Sequence, residues 1–574
     1  MHQQIQRAEI RGQRSEGGGQ RASGSVSVFQ CFSISAFAAL LLVNGCSKTP
    51  NADLHPTTSA SPTPLAPDTV LRTHWIGKQT LGIAASAYSF MRLWNLPESK
   101  PVEAQLLAKF NAAPWRVAPG QPPTANNASA ALQPLLDDVL NEESCLEVRA
   151  ASGQPEQIVF ALRLNNARAT VWQVNLAEVL SSTEGAYPSK RAGGWSLKSP
   201  RSQTAYELQR TGDWIVFGMT TGTNALFQEI VARIGREQVP FTVTTASHWL
   251  TVEADLNWVC EEVGGRRSEV GRELPRVSLV ISGDGANTVT TGELTFAKPL
   301  ALNLEPWAFP KNQVQGPVIG FSAVRGIGSW LTKSKTWSDL KLGRAPNQIF
   351  TWADARAPLQ MHLAAPSETA KETANSLGET FLAHGNAWLA EHGLGSLGQL
   401  PASSGVIWKD LPLIAPYLSA TSDGLLTGGL IPNPEPGTNA PMDIYPRPTL
   451  DELLANLSSR TNLVAYDWET TGARAESFHF LGQILRVATR HPQMPANTPS
   501  SEWLQSVRQR LGNCTTTVTL AGPNRLAFER KSTTGFNAAE LHLIADWMES
   551  PEFPRGLYAT RSPVGPAPVP NAKP

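Results

Sequence analysis

An α+β fold, built from antiparallel sheets and packed helices in two related halves, is what this sequence predicts, and three observations carry the prediction. Short runs rich in Val, Ile, Phe and Trp, such as "QIVFALRLN" and "DWIVFGM", alternate with turn residues and outnumber the helical patterns. They fall beside one another as hairpins, where a doubly wound parallel fold would interleave them with helices. Two pairs of segments then echo each other. "WIVFGMTTGTNALFQEIVARI" from Trp214 and "RLAFERKSTTGFNAAELHLIADW" from Arg525 both lead from a strand through TTGxNA into an amphipathic helix, with Asn224 and Asn537 placed as N-caps. "WLTVEADLNWV" from Trp249 and "NLVAYDWETTG" from Asn462 each set acid-x-acid at the end of an apolar strand.

Residues 1–45 read as a leader. The apolar run from Phe32 to Val43 is about twelve residues, and a bilayer span needs roughly 18 or more. Arg7, Arg11, Arg14 and Arg21 precede it, which is the order of an export signal. At its end, "VNGC" resembles a bacterial lipoprotein signal, with Cys46 as the residue that receives lipid; an ordinary signal peptide cleaved nearby is the other reading. Residues 46–69 are rich in Ser, Thr, Pro and Ala and read as an extended tether.

The folded body divides into 70–240, 241–430 and 444–560, separated by Pro/Gly/Asn-rich breaks, with a disordered tail at 561–574. The first part opens with helices in "TLGIAASAYSFMRLW" and "PVEAQLLAKFNAA", then strands in "SCLEVRAA", "QIVFALRLN", "ATVWQVNL" and "DWIVFGM". The central region carries the hairpin "RVSLVISGDGANTVTTGELTF", turning at Gly283 to Asn287, and a long helix from Ser367, its expected N-cap, to Gly393. The last part reads helix, strand, helix, hairpin, helix.

The chain holds 48 basic and 48 acidic residues. Removing the leader leaves a net charge near −2, and no basic stripe asks for a nucleic acid. Seventeen Trp fit carbohydrate surfaces or, more simply, cores between helices and sheets. Cys145, Cys260 and Cys514 are far apart and odd in number, so one disulfide is allowed but no pairing can be read. No CxxC, GxSxG, Walker A, HExxH or EF-hand loop occurs, and the histidines, His384 and His392 included, show no metal-ligand spacing. No metal and no cofactor is expected. "GLGSLG" at Gly393 follows a helix where a dinucleotide loop must open one, and "SDLK" at Ser338 lacks its companion motifs.

Two candidate sites remain. Asp467 and Glu469 lie i, i+2 on a strand, on one face about 6–7 Å apart, a geometry that serves glycoside hydrolysis. Glu253 and Asp255 repeat it in the other half, which points to a structural device instead: Asp255 or Thr470 capping the next helix, the other acid facing water. In "RGIGSWLTKSKTWSDLKLGR", Trp330 and Trp337 interleave with Lys333, Lys335 and Lys341, a pattern that grips a sugar polymer or an anionic surface, or forms a solvated loop with both Trp anchored inward.

"LRTHWIGKQ", "MRLWNLPES", "EPWAFPKNQVQGPVIGFSAVRGIGSWL" and "NLVAYDWETT" resemble the recurring blocks of a family of uncharacterised exported bacterial lipoproteins. The resemblance implies export and brings no activity or catalytic residue. The expectation is a membrane-anchored envelope lipoprotein facing the periplasm or cell surface, acting as a non-catalytic binding or structural module for an envelope protein or polysaccharide. The alternative is an exported polysaccharide hydrolase using Asp467 and Glu469. A cleft of roughly 300–1,000 Å³ holding both carboxylates favours the enzyme; carboxylates on solvent-facing strand ends remove it.

Overall fold

The computed structural model describes residues 65–554, apart from 118–125, 242–246, 263–273, 315–316, 335–336, 338–343, 356–359, 394, 401–404, 411–412, 434–446, 490–496 and 552. Cys46, the leader, the tether, Lys335, Lys341, "SDLK" and the tail lie outside the described residues, as do the side chains of Cys260, His384 and His392.

Strand β1 (Thr69–Trp75) leads to helices α1 (Lys78–Ile83), α2 (Tyr88–Trp94), α3 (Ser99–Val117) and α4 (Asn126–Asn141). Then come β2 (Ser144–Arg149), β3 (Gln157–Arg163), α5 (Asn166–Glu184), β4 (Ser189–Arg191), β5 (Gly194–Lys198), β6 (Ala205–Thr211), β7 (Trp214–Thr220) and α6 (Ala225–Glu237). The run closes with β8 (Leu250–Asp255), α7 (Leu256–Glu262), β9 (Arg276–Gly283) and β10 (Thr288–Thr295). The second run begins with β11 (Val318–Arg325), α8 (Gly328–Thr332), β12 (Gln348–Asp354), β13 (Met361–Pro366) and α9 (Ala370–His392). It continues with β14 (Ser396–Gln399), β15 (Gly405–Lys409), β16 (Leu413–Ala420), β17 (Leu425–Asn433), α10 (Leu450–Ser458) and β18 (Leu463–Thr470). It ends with α11 (Thr471–Thr489), α12 (Pro499–Val507), β19 (Asn513–Gly522), β20 (Arg525–Ser532) and α13 (Ala538–Glu549).

These strands form one 20-stranded sheet, and every ladder is antiparallel. The first ten run in the order β4-β5-β6-β7-β3-β2-β1-β8-β9-β10. The last ten run β14-β15-β16-β17-β13-β12-β11-β18-β19-β20. Adding ten to each strand number of the first series gives the second. The series meet at β10 and β20, which pair antiparallel from Thr288↔Ser532 to Thr295↔Arg525. The chain is therefore an internal duplication, its copies related by an approximate two-fold axis perpendicular to the sheet. Two hydrogen-bonded rows fix the equivalence. Glu253-Arg72-Glu147-Val159-Gly218 in the first half corresponds to Trp468-Phe321-Trp352-His362-Gly429 in the second.

That register corrects both echoes. The place of β7 is taken by β17, and that of β20 by β10, so TTGxNA marks no repeat. It is a local strand-to-helix device, and Asn224 and Asn537 do cap α6 and α13, their side chains accepting the N–H of Phe227 and of Glu540. The strands of the second echo, β8 and β18, are equivalent, but their acids are not. Val252 shares a row with Leu279, Gly292, Phe528, Val518 and Ala465, so it faces the side of Asp467 and Glu469. Glu253 and Asp255 face the other side, since a one-residue slip turns a strand's side chains over.

"ATVWQVNL", expected as a strand, lies inside α5. Ala169, Trp172, Leu176, Val179 and Leu180 are its buried residues, a helical spacing, and Asn165 caps it by accepting the Arg168 N–H. The expected turn between β9 and β10 forms, with Asp284 Oδ1 accepting the N–H groups of Ala286 and Asn287. α9 ends as expected at a left-handed Gly393, but its N-cap is Thr369, and Ser367 accepts the Thr369 N–H from outside the helix.

On one face of the first half, α1–α5 cover a large core containing Trp75, Leu146, Trp172 and Trp249; on the other, α6 packs against Val159, Ala161 and Val216. In the second half α10 packs on this latter side, against Phe321, Phe350, Trp352, Tyr466 and Trp468. Most described Trp thus fill cores. Cys145 and Cys514 are buried free thiols.

The junction is tight at Gly292, whose direct partners are Leu279 and Phe528. A Cβ there would lie 2.6 Å from the Phe528 ring and 2.3 Å from Ser278 O. Gly292→Val is expected to destabilise the protein by about 1–3 kcal/mol through overpacking, read as a lower urea midpoint; an unchanged midpoint would show that the two halves part freely at this ladder.

Candidate functional site

The two copies differ in what lies over this face of the sheet. Residues 76–143, between β1 and β2, supply α1–α4; residues 326–347, between β11 and β12, supply the short α8 among the described residues. Where the first half is roofed by helices, the second has a cleft of about 390 Å³, floored by β18, β11, β12, β13 and β17.

The cleft is polar because of sequence alternation. Thr290, Arg530, Thr516, Asp467, Ser322 and Thr351 are successive cross-strand partners from β10 to β12, and so share one face. The equivalent row in the first half reads Val252, Thr73, Leu146, Phe160. On the opposite face the contrast reverses: Glu253, Arg72 and Glu147 stand where the second half has Trp468, Phe321 and Trp352.

Asp467 and Glu469 both line the cleft. Asp467 Oδ1 accepts the Ser322 hydroxyl at 2.5 Å, and burial raises its pKa against that hydrogen bond. Glu469, 6% exposed, accepts the Ala538 N–H at 2.7 Å, at the N-terminus of α13, where a negative charge is favoured. Burial, then repulsion from Asp467, nevertheless pushes its carboxyl up to about 7. Neither acid faces water freely as the structural reading expected, and Thr470 donates to Asn513 Oδ1 at 3.4 Å. Asp255 does behave as a cap, accepting the Asn257 N–H.

Sequence reading missed Arg474. It sits in the first turn of α11, its stem over Gly320, where any Cβ would come within 3.0 Å of Arg474 Cδ and Nε. Its guanidinium lies 4.7 Å from the Phe478 ring centroid, and its buried Nη1 has no hydrogen-bond partner. Burial lowers its pKa, against the pull of Glu469 and Asp467. Two carboxylates, a guanidinium with a free N–H and the hydroxyls of Ser322 and Thr351 therefore converge. The traceable signal was hydroxyl residues set into strands, Ser322 in "FSAV" and Thr515, Thr516 and Thr517 in "CTTTVT".

The other candidate is not a built site. Trp330, on α8, is 53% exposed and not anchored inward; Lys333 is exposed and Trp337 half-buried, with Lys335 outside the described residues. No group of three or more His, Cys, Asp or Glu able to hold a metal occurs among the described residues, and no described helix is long and apolar enough to cross a membrane. No protein-family model, curated protein or solved structure matches the chain.

Proposed function

We propose that this is a membrane-anchored envelope lipoprotein whose second half binds a saccharide unit of an envelope polymer in the cleft over β18 and β11. The observation that carries the reading is the buried, unpartnered Nη1 of Arg474 beside two carboxylates in a cleft of about 390 Å³. Ligand sites are concavities of this size with a few convergent polar groups. Carboxylates accept sugar hydroxyls, a guanidinium donates to ring and hydroxyl oxygens, and a buried donor left unpaired costs free energy until something pairs it. Calorimetric titration with mono- and oligosaccharides is expected to give saturable binding that Arg474→Met weakens at least tenfold without unfolding the protein. Binding to none of them, or equal binding by the variant, removes the reading. For the anchor, Cys46→Ala is expected to abolish acyl labelling and release the protein from the membrane fraction.

A second reading has its own support. Both carboxylates lie within the cleft, the feature that favours a hydrolase, and a carboxyl with a pKa near 7 retains the proton that a general acid needs. Under it, Glu469→Gln would abolish polysaccharide cleavage while leaving saccharide binding within about threefold. The binding reading is preferred because each acid already spends one oxygen on the protein, Asp467 on Ser322 and Glu469 on Ala538.

A further inference from the structure

A second cavity, lined mostly by apolar side chains, lies where the helices of the two halves meet. It measures about 170 Å³ and is walled by Leu106 and Phe110 of α3, Leu136 of α4, Trp503 of α12, and Ile544 and Met548 of α13. Protein interiors are packed with few voids larger than a water molecule, and an engineered apolar cavity of about 150 Å³ stays dry and takes up benzene. This one is of that order and is contributed by both halves.

Its three polar lining residues are already engaged. Ser99 donates to Leu93 O at 2.7 Å and accepts the Trp503 indole N–H at 2.9 Å. Glu103 takes Lys78 at 2.5 Å and the Trp94 indole. Thr534 accepts the Phe536 N–H. A polar ligand would lose its water and gain little here, whereas an apolar one gains dispersion contacts with the walls. We infer that this cavity binds a single aliphatic chain, as a site separate from the saccharide cleft.

The test uses the full-length chain carrying Cys46→Ala, purified without detergent and titrated with octanoate, whose alkyl part is of the cavity's size. Saturable binding at one site is expected. Val102→Phe, which fills the cavity from α3, should weaken it at least tenfold with an unchanged or higher thermal midpoint, and Ile544→Phe, filling from α13, should do the same should the first variant fold poorly. Arg474→Met should bind octanoate as the parent does. Native mass spectrometry after incubation with phosphatidylethanolamine and phosphatidylglycerol vesicles separates the sources: a retained phospholipid mass identifies the end of a membrane lipid tail, and retention of octanoate alone identifies a free fatty acid. No saturable binding by the parent, or parent-like binding by a folded, cavity-filled variant, overturns the inference.

Discussion

Glu469→Gln is expected to raise the unfolding free energy at pH 8 by about 3 kcal/mol and to flatten its pH dependence. An unfolded glutamate releases its proton near 4.5, the folded one near 7. Between these values the native state binds more protons than the unfolded state, so parent stability falls as pH rises through that window. Each tenfold difference in proton affinity is worth about 1.4 kcal/mol, which sets the size of the effect. Glutamine keeps the oxygen that accepts the Ala538 N–H and removes the charge that burial and Asp467 oppose. Urea titrations of parent and variant at pH 4.5, 6 and 8 check this: the curves should converge at the acid end and separate at pH 8. Curves that stay parallel would mean that Glu469 is ionised and solvated in the native protein, and the cleft would then be an ordinary wet surface.

A site held at that cost is what separates the second half from the first, and the contrast explains how much of it could be read beforehand. Hairpins, the long helix and the helix-strand-helix-hairpin-helix ending, to which the structure adds α12 before the hairpin, were legible because turn residues and period-two or period-3.6 spacing act locally. "ATVWQVNL" failed because its β-branched and aromatic residues look like a strand in a window of eight; the helix shows only when Val179 and Leu180 extend the spacing. Neither echo in the letters marks the duplication by equivalent residues: TTGxNA joins unlike strands, and the acid-x-acid pairs end strands that are equivalent, β8 and β18, but lie one residue out of register. What no short window could supply was register. Glu253 and Asp467 look equivalent in a string of letters, yet they sit one residue apart in the ladder, on opposite faces. Treating them as copies made the acids of the second half look structural. Arg474 was hidden for a related reason: it reaches the strands only because Gly320, more than 150 residues earlier in the chain, leaves its stem room.

Where the second half carries an apolar face under α10, the first buries charge under α6, and this predicts the other large effect. Glu147 is fully buried. Its carboxylate accepts from Thr69 Oγ1 at 3.2 Å, Arg72 Nε at 3.1 Å and Arg149 Nε at 2.9 Å. Arg149 continues to Glu229 on α6 at 2.7 Å, and Glu229 to Arg233 at 2.5 Å, so one chain of ion pairs stitches β1 and β2 to the helix above them. Removing one member of a buried pair leaves the other charged and uncompensated, at about 3–5 kcal/mol, whereas replacing both by apolar groups of similar volume is often neutral. Glu147→Gln should therefore lower the urea midpoint steeply, because Arg72, itself 5% exposed, keeps its charge but loses the carboxylate its Nε bonds, and its cross-strand neighbour Glu253 offsets only part of that loss. The double replacement Arg72→Met with Glu147→Leu should recover most of the loss, since the equivalent positions, Phe321 and Trp352, show that this row of the fold accepts an apolar pair. If the double variant is as unstable as the single one, the network is required by the fold itself and not by the charge left behind. Recovery would instead place the polarity of this row among the features in which the two copies are free to differ, and by which only the second acquired an open polar cleft.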